Sequence, residues 1–447
     1  MNLDSLSLFS ALGGSLTTFV AFVVALSIIV AVHEYGHYIV GRWSGIEAEV
    51  FSLGFGPVIF SRVDKRGTRW QLAALPFGGY VKFVGDANAA SVGSEGDPDA
   101  TPPARNTMAG APLWARAATV SAGPIFNFIM SIAIFAAIAT LNGTPRQPLT
   151  VGSVNTVPYA VDLRPGDEVL EIGGIKVPGP GDALTFDELL RQLPVESNVD
   201  YLLRRGGVET TVSTAHPMPA VVVQLAPQSA AYESGMQQGD VITHVEGKEI
   251  LAFRQLQQAV LAAEGAPLAL TVWRDGEVLD VTLSAKRVDE PQPGGGYETN
   301  WRIGIVGGML FRPATEQLSP LQGIEAGVNM TTSIITGSFS GLYHMVSGAI
   351  SSCNMSGPLG IAQVSGAMAR QGFENFIYFI GVLSTAVGLL NLFPIPVLDG
   401  GHLTFYAYEA VTGRKPSERA LQFLMTLGLT VILSLTAFAL FNDFFCP

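Results

Sequence analysis

The chain has 447 residues, 48% of them hydrophobic and only 14% charged, and its mean hydropathy is positive. That is too apolar and too sparsely charged for an ordinary soluble globular protein, so a membrane protein is the expected class. With 37 acidic against 25 basic residues, a net charge of −12 argues against a nucleic-acid partner.

Four stretches are long and apolar enough to cross a bilayer as helices: residues 16–40, 117–141, 375–398 and 420–441. The first, assigned to a segment 1–41, is too long for a removable signal peptide and lacks its basic start and small-residue cleavage site. It ends in Val32-His33-Glu34-Tyr35-Gly36-His37. Helical residues four apart lie on one face, so both imidazoles can bind one metal while Glu34 reaches the water that the metal activates. The pattern predicts a hydrolytic zinc site with His33 and His37 as ligands, in or beside a membrane span, where ionisable residues are costly and functional.

Residues 42–85 lose the helical period. Runs at 50–56 and 70–75 flank Asp64-Lys65-Arg66-Gly67, a hairpin signal, and 77–83 adds a further strand. The apolar character of this sheet predicts that it dips into the lipid boundary, where an open strand edge would pair with an extended substrate. Residues 86–110, small, polar and aperiodic, read as a flexible linker. The second span (111–141) opens with Ala122-Gly123-Pro124-Ile125-Phe126-Asn127. Gly123 permits close packing, and Asn127 either hydrogen-bonds a neighbouring helix or faces the catalytic chamber.

Between the second and third spans the chain repeats itself. Gly166-Asp167-Glu168-Val169 and Gly239-Asp240-Val241-Ile242 open matching runs 73 residues apart, each followed by a helical stretch (185–193 and 253–263) and a strand pair. The pattern resembles two tandem PDZ domains, expected at 142–218 and 219–313, which bind chain ends by strand addition. Residues 314–373 are uncharged from 326 to 369 but laced with Ser, Thr, Gly and Asn, and read as amphipathic helices outside the bundle, not as a fifth span.

The third span (374–402) ends in Asn391-Leu392-Phe393-Pro394-Ile395-Pro396-Val397-Leu398-Asp399-Gly400-Gly401-His402. Two prolines break the helix and two glycines free the chain to turn. A catalytic zinc takes three protein ligands, and Asp399 and His402 both offer the third. Residues 403–447 hold the fourth span and a tail. Basic residues then set orientation: eight lie in 41–116 and three in 399–419, which makes those loops cytoplasmic, with both termini outside. The segment 142–374 carries 14 basic and 24 acidic residues, −10 of the net charge, as a solvated extracytoplasmic region should. The two cysteines, Cys353 and Cys446, make no disulfide framework, and whether they pair is left open.

Together, H-E-x-x-H at 33–37, G-x-x-x-N at 123–127, the PDZ pair and N-x-x-P-x-P-x-L-D-G at 391–400 resemble the site-2 protease family of intramembrane zinc metalloproteases, in its bacterial sigma-regulating branch. The resemblance covers nearly the whole chain. It implies an α-helical polytopic membrane protein with four transmembrane helices, a membrane-re-entrant β-sheet and two extracytoplasmic PDZ domains of α+β type. It implies Zn2+ held by His33, His37 and Asp399, Glu34 as catalytic base, and a substrate contacted by Asn391, Pro394, Pro396, Asn127, Phe77, Gly78 and Gly79. It further implies a bacterial inner-membrane location with the site toward the cytoplasm. The expected substrates are single-span membrane proteins, an anti-sigma factor already cut once and signal-peptide remnants. The PDZ domains would bind exposed peptide ends or act as a size filter. A zinc transporter and a non-catalytic PDZ scaffold are the alternatives, and neither needs Glu34.

Overall fold

The structure, a computed structural model, describes residues 3–85, 104–179, 182, 184–292 and 295–446, with side chains from residue 15 onward. Most of the expected linker, residues 86–103, lies outside the described residues. In chain order, α1 (Leu3–Trp43), β1 (Ala48–Val63), β2 (Arg69–Phe83) and α2 (Leu113–Asn142) come first. A strand-rich stretch follows with β3 (Thr144–Pro145), β4 (Val151–Val154), β5 (Glu168–Ile172), β6 (Ile175–Lys176), α3 (Phe186–Gln192), β7 (Val199–Arg205) and β8 (Val208–Thr214). It continues through β9 (Val222–Leu225), α4 (Ala230–Glu233), β10 (Val241–Val245), β11 (Lys248–Glu249), α5 (Phe253–Ala262), β12 (Pro267–Arg274) and β13 (Glu277–Ser284). It closes with β14 (Lys286–Pro291), β15 (Tyr297–Arg302), β16 (Ile305–Gly307), β17 (Phe311–Pro313) and β18 (Thr315–Glu316). The helices α6 (Pro320–Val346), α7 (Pro358–Arg370), α8 (Phe373–Asn391), α9 (Asp399–Thr412) and α10 (Glu418–Phe445) complete the chain.

These elements form two compact units. One comprises Met1–Ile138, Gly323–Tyr343 and Ser352–Cys446; the other comprises Ala139–Gln322 and His344–Ser351. Among the described residues, four helices are long and apolar enough to cross a membrane: Ser15–Trp43, Leu113–Asn142, Phe373–Asn391 and Glu418–Phe445. They coincide with the four predicted spans except at the third, which stops at Asn391 instead of running to 398 or 402. Pro394 and Pro396 supply no backbone donor and push Phe393 and Ile395 out of the helical region. The chain then restarts as α9, a separate helix that the sequence did not announce, and Gly413, at φ 69°, ends it in the left-handed conformation.

In the first unit, α1, α2 and α8 pack through Ala25, Ile29 and Ile380, with Met130, Ile134 and Leu383 around them. Hydroxyls stitch α8 to α2: Ser131 Oγ donates to the Gly381 carbonyl and Ser384 Oγ to the Asn127 carbonyl, both at 2.9 Å. α6 buries Gly323, Gly327 and Thr331, a stripe of small residues one turn apart, and Gly327 sits against the α2 backbone at Ile132 and Ala136. The α7 N-terminus is capped from a distance: Asp443 of α10 accepts from the N–H groups of Gly357, Leu359 and Gly360 at 2.8 to 3.1 Å. Cys353 and Cys446, whose pairing the sequence left open, are disulfide-bonded beside this cap.

The sheet of this unit is richer than the three strands expected. β1 and β2 are both long and bent, and residues 50–53 pair with 79–82 on one side and with 69–72 on the other. Residues 60–63 pair with the far side of 69–72, so two strands make four rungs in the order 60–63, 69–72, 50–53, 79–82. The turn is the predicted one, at Asp64–Gly67, where Asp64 Oδ1 accepts from the Arg66 and Thr68 N–H groups.

The second unit holds the internal repeat. The first copy has strand order β6-β5-β7-β8 and the second β11-β10-β12-β13, with α3 and α5 at equivalent positions. Each has its own core, built in the first around Leu189, Tyr201 and Leu203 and in the second around Ile242, Leu256 and Leu270. The repeated Gly-Asp is a turn whose carboxylate is buried and gripped by an arginine. Asp167 takes Arg205 through two bonds of 2.8 Å, and Asp240 takes Arg274 at 2.6 and 2.7 Å. The boundary expected between the domains needs correction. β16 pairs with β9 inside the second copy, but β17, assigned to that copy by position, pairs with β4 of the first. The second domain is therefore inserted into the first, whose closing strand arrives only after it. The hairpin β14–β15 was also not expected.

Candidate metal centre

Helical spacing brings the His33 and His37 rings together edge to face, with centroids 4.7 Å apart. Their Nε2 atoms are 3.1 Å apart, and Asp399 Oδ2, at the first residue of α9, lies 3.1 Å from the one and 3.4 Å from the other. Three ligands on a tetrahedral zinc with bonds of about 2.0–2.1 Å stand about 3.3–3.4 Å apart, so the triangle has the dimensions of a zinc face. Oδ2 is buried and has no hydrogen bond of good geometry, which an unused carboxylate oxygen rarely tolerates. Two imidazoles and a carboxylate are also a donor set found at catalytic zinc. The residues present fit the metal.

α2 orients both rings from behind. His37 Nδ1 donates to the Thr119 carbonyl at 2.8 Å, and because a carbonyl only accepts, Nε2 keeps its lone pair for the metal. The amide of Asn127 lies 3.2 Å from His33 Nδ1, and Oδ1 is buried without a partner. The two ends of an amide are alike in shape, and turning this one places Oδ1 on His33 Nδ1–H and again frees Nε2. Gly123 completes the cradle: a Cβ there would overlap both rings. Gly36 lets the helices come this close, since its own Cβ would strike the Ala122 carbonyl.

Glu34, on the same helix, is flanked by the edge strand of the sheet. A Cβ at Gly79 would stand 3.2 Å from Glu34 Cγ and 2.7 Å from the Ser52 carbonyl, so strand and helix touch only because residue 79 has no side chain. A polar cluster fixes the other end of the sheet to α1. Tyr38 OH and Trp70 Nε1 both donate to Asp64 Oδ2, at 3.3 and 3.2 Å, and Arg42 Nη1 donates to Tyr38 OH at 3.0 Å.

The structure thus brings together His33, Glu34, His37, Asp399, Asn127 and Gly79. Asn391 is the last residue of α8, and Pro394 and Pro396 lie in the turn leading to Asp399, with Pro396 against Gly428 of α10. Phe77 is half exposed on β2, and Gly78, at φ 131°, packs against the Phe55 ring. His402 stands one turn along α9 with its ring on Phe405 and is not one of the three converging donors. Sequence reasoning missed Thr119, which acts through a carbonyl that any residue would supply. It read Asp64 only as a turn residue.

A profile of peptidase family M50 matches residues 21–435. The chain is 35% identical over 436 residues to a protein of Agrobacterium fabrum that bears a zinc metalloprotease name, covering 96% of each. It is 32% identical to the regulator of sigma-E protease RseP of Escherichia coli, covering 95% of this chain and 97% of that protein. The Salmonella typhimurium protein of the same name is 30% identical over a similar span. The chain belongs to peptidase family M50 and is a membrane zinc metalloprotease.

Proposed function

We propose that the protein is an intramembrane endopeptidase of the bacterial inner membrane that cuts single-span membrane proteins within or near their membrane segment. The observation that carries this reading is the meeting of three metal donors, Glu34 and a strand edge at the end of one apolar helix. His33, His37 and Asp399 would hold the ion. When bound, zinc supplies Lewis acidity that activates a water and polarises a carbonyl. Glu34 takes the proton of that water as it attacks the scissile carbonyl, then delivers it to the leaving amine as the C–N bond breaks. Thr119 and Asn127 keep the imidazoles aimed throughout.

A helical substrate hides its carbonyls in its own hydrogen bonds and must be unwound before it is cut. The edge at residues 79–82 supplies replacement partners for the extended segment, with Phe77 and Gly78 beside it and Asn391, Pro394 and Pro396 on the approach to Asp399. The basic loops put this chemistry on the cytoplasmic side and both termini and the repeat region outside. The two repeats act as PDZ domains that exclude substrates with bulky outer parts, and the sheet re-enters the membrane. An anti-sigma factor already cut once, or a signal-peptide remnant, has the required shape.

A model single-span peptide incubated with the full chain in detergent tests the reading. Wild type should cleave it, and Glu34→Gln should retain zinc while losing cleavage by about a thousandfold or more. A Glu34→Gln protein that still cleaves would overturn the assignment, and metal flux unaffected by that change would favour a transporter. Cleavage of a substrate with its outer domain intact should appear only when residues 142–312 are deleted.

A further inference from the structure

Ten residues beyond Asp399, α9 carries a second acidic side chain that the proposed chemistry does not use. Glu409 takes Arg116 in a bidentate pair, Nη2 to Oε1 at 2.7 Å and Nη1 to Oε2 at 3.0 Å. Arg116, on the first turn of α2, is only 8% exposed. Its Nε donates to the Ala111 carbonyl at 3.2 Å, and its guanidinium lies over the Tyr406 ring, 5.1 Å from the centroid. All three guanidinium nitrogens are thereby fixed. A buried ion pair is a weak source of stability compared with apolar residues of the same volume, but two parallel bonds from a planar fork fix both the depth and the rotation of the groups they join.

What they join here are the two halves of the metal centre. Arg116 lies one turn before Thr119, whose carbonyl holds His37, and on the same helix as Gly123 and Asn127, which hold both rings. Glu409 lies on the helix that begins with Asp399. At its N-terminal end α9 is packed on the broken segment 392–398 through Gly400 and Gly401, and farther along the Arg116–Glu409 pair ties it to α2. A slip of one helical turn would move Asp399 by about 5.4 Å, more than the whole triangle of donors spans.

We infer that Arg116 and Glu409 are positioning residues that set α9 so that Asp399 meets His33 and His37. The inference rests on the reading of those three residues as the zinc site. The test uses the full chain in detergent, with zinc affinity measured by chelator competition, the visible spectrum of the cobalt(II)-substituted protein, and cleavage kinetics. Arg116→Ala should weaken zinc and lower kcat by about tenfold each, with KM nearly unchanged and the cobalt bands shifted. The exchange Arg116→Glu with Glu409→Arg should recover both to within about threefold of wild type. Glu409→Gln, which keeps the shape but not the charge, should show the same changes in smaller degree and serves if Arg116→Ala does not fold. Zinc affinity and cobalt spectra equal to wild type in these single variants would overturn the inference alone, as would an exchange no better than either single change. Wild type that takes up no zinc would overturn the metal-site reading and this inference with it.

Discussion

Carboxylate oxygens are taken out of water in two different ways in the two units of this chain. Asp167 and Asp240, in the repeat unit, are each 1% exposed and each closed by an arginine and a backbone N–H three residues back. Asp399, in the membrane unit, has its buried Oδ2 facing two imidazole nitrogens and no hydrogen bond of good geometry. A carboxylate taken out of water needs a donor or a cation. The first two find theirs within the fold and are structural. The third faces two imidazoles that form a possible metal site with it, and on the proposed reading a bound metal completes it.

Exchange of the buried charge should separate the two kinds. Asp399→Asn should remove most bound zinc and lower cleavage by about a thousandfold, while melting of the repeat unit stays where it was. Asp240→Asn should do the reverse, leaving zinc content at the wild-type value. Gly123→Ala comes next, because the new methyl competes with both rings for one space. It should weaken zinc by about 10–100-fold, as read by chelator competition, without a change in global melting. Asp167→Ala and Asp240→Ala should each destabilise the repeat unit by about 3 kcal/mol in thermal or proteolytic unfolding. This is the lower end for a broken buried pair, since Arg205 and Arg274 are 26% and 25% exposed.

Acid should sharpen the same contrast more gently. Burial pushes the Asp167 carboxyl up, but the Arg205 bonds, the Arg164 N–H and the guanidinium charges outweigh it and hold the group below the usual range. Its contribution is therefore present above the unfolded value and lost as pH falls through the folded one. His216, 3% exposed between β8 and β9, is pushed down to about 4 by burial, and the nearby Arg254 adds to this. Its Nδ1 accepts from the Met218 N–H and its Nε2 has no partner, so the folded state resists the second proton. The unfolded chain gains that proton first, so stability should fall from about pH 6.5 down to about pH 4, and His216→Phe should flatten that limb of the unfolding curve.

The legible parts of this protein are the ones written in local spacing. Histidines four apart announce a shared face, Pro394 and Pro396 announce a broken helix ahead of Asp399, and a Gly-Asp recurring after 73 residues announces a duplicated domain. What stayed hidden depends on pairing between distant segments. No periodicity reveals that β17 closes the first domain after the second has been inserted, or that two bent strands build four rungs. Thr119 acts through its backbone, and Arg116 meets Glu409 across 293 residues, so neither side chain advertises its role by neighbours in sequence. The cysteine pair was undecidable for the same reason: two residues 93 apart become partners only when α10 is anchored to the segment before α7.

Zinc-edge X-ray absorption on the purified full chain, with metal content determined on the same sample, tests the central assignment most directly. The account predicts one zinc per chain with two imidazole nitrogens and oxygen donors, no sulfur, and loss of that spectrum in Asp399→Asn. Stoichiometric zinc with an unaltered spectrum in Asp399→Asn, or a sulfur ligand in wild type, would contradict it.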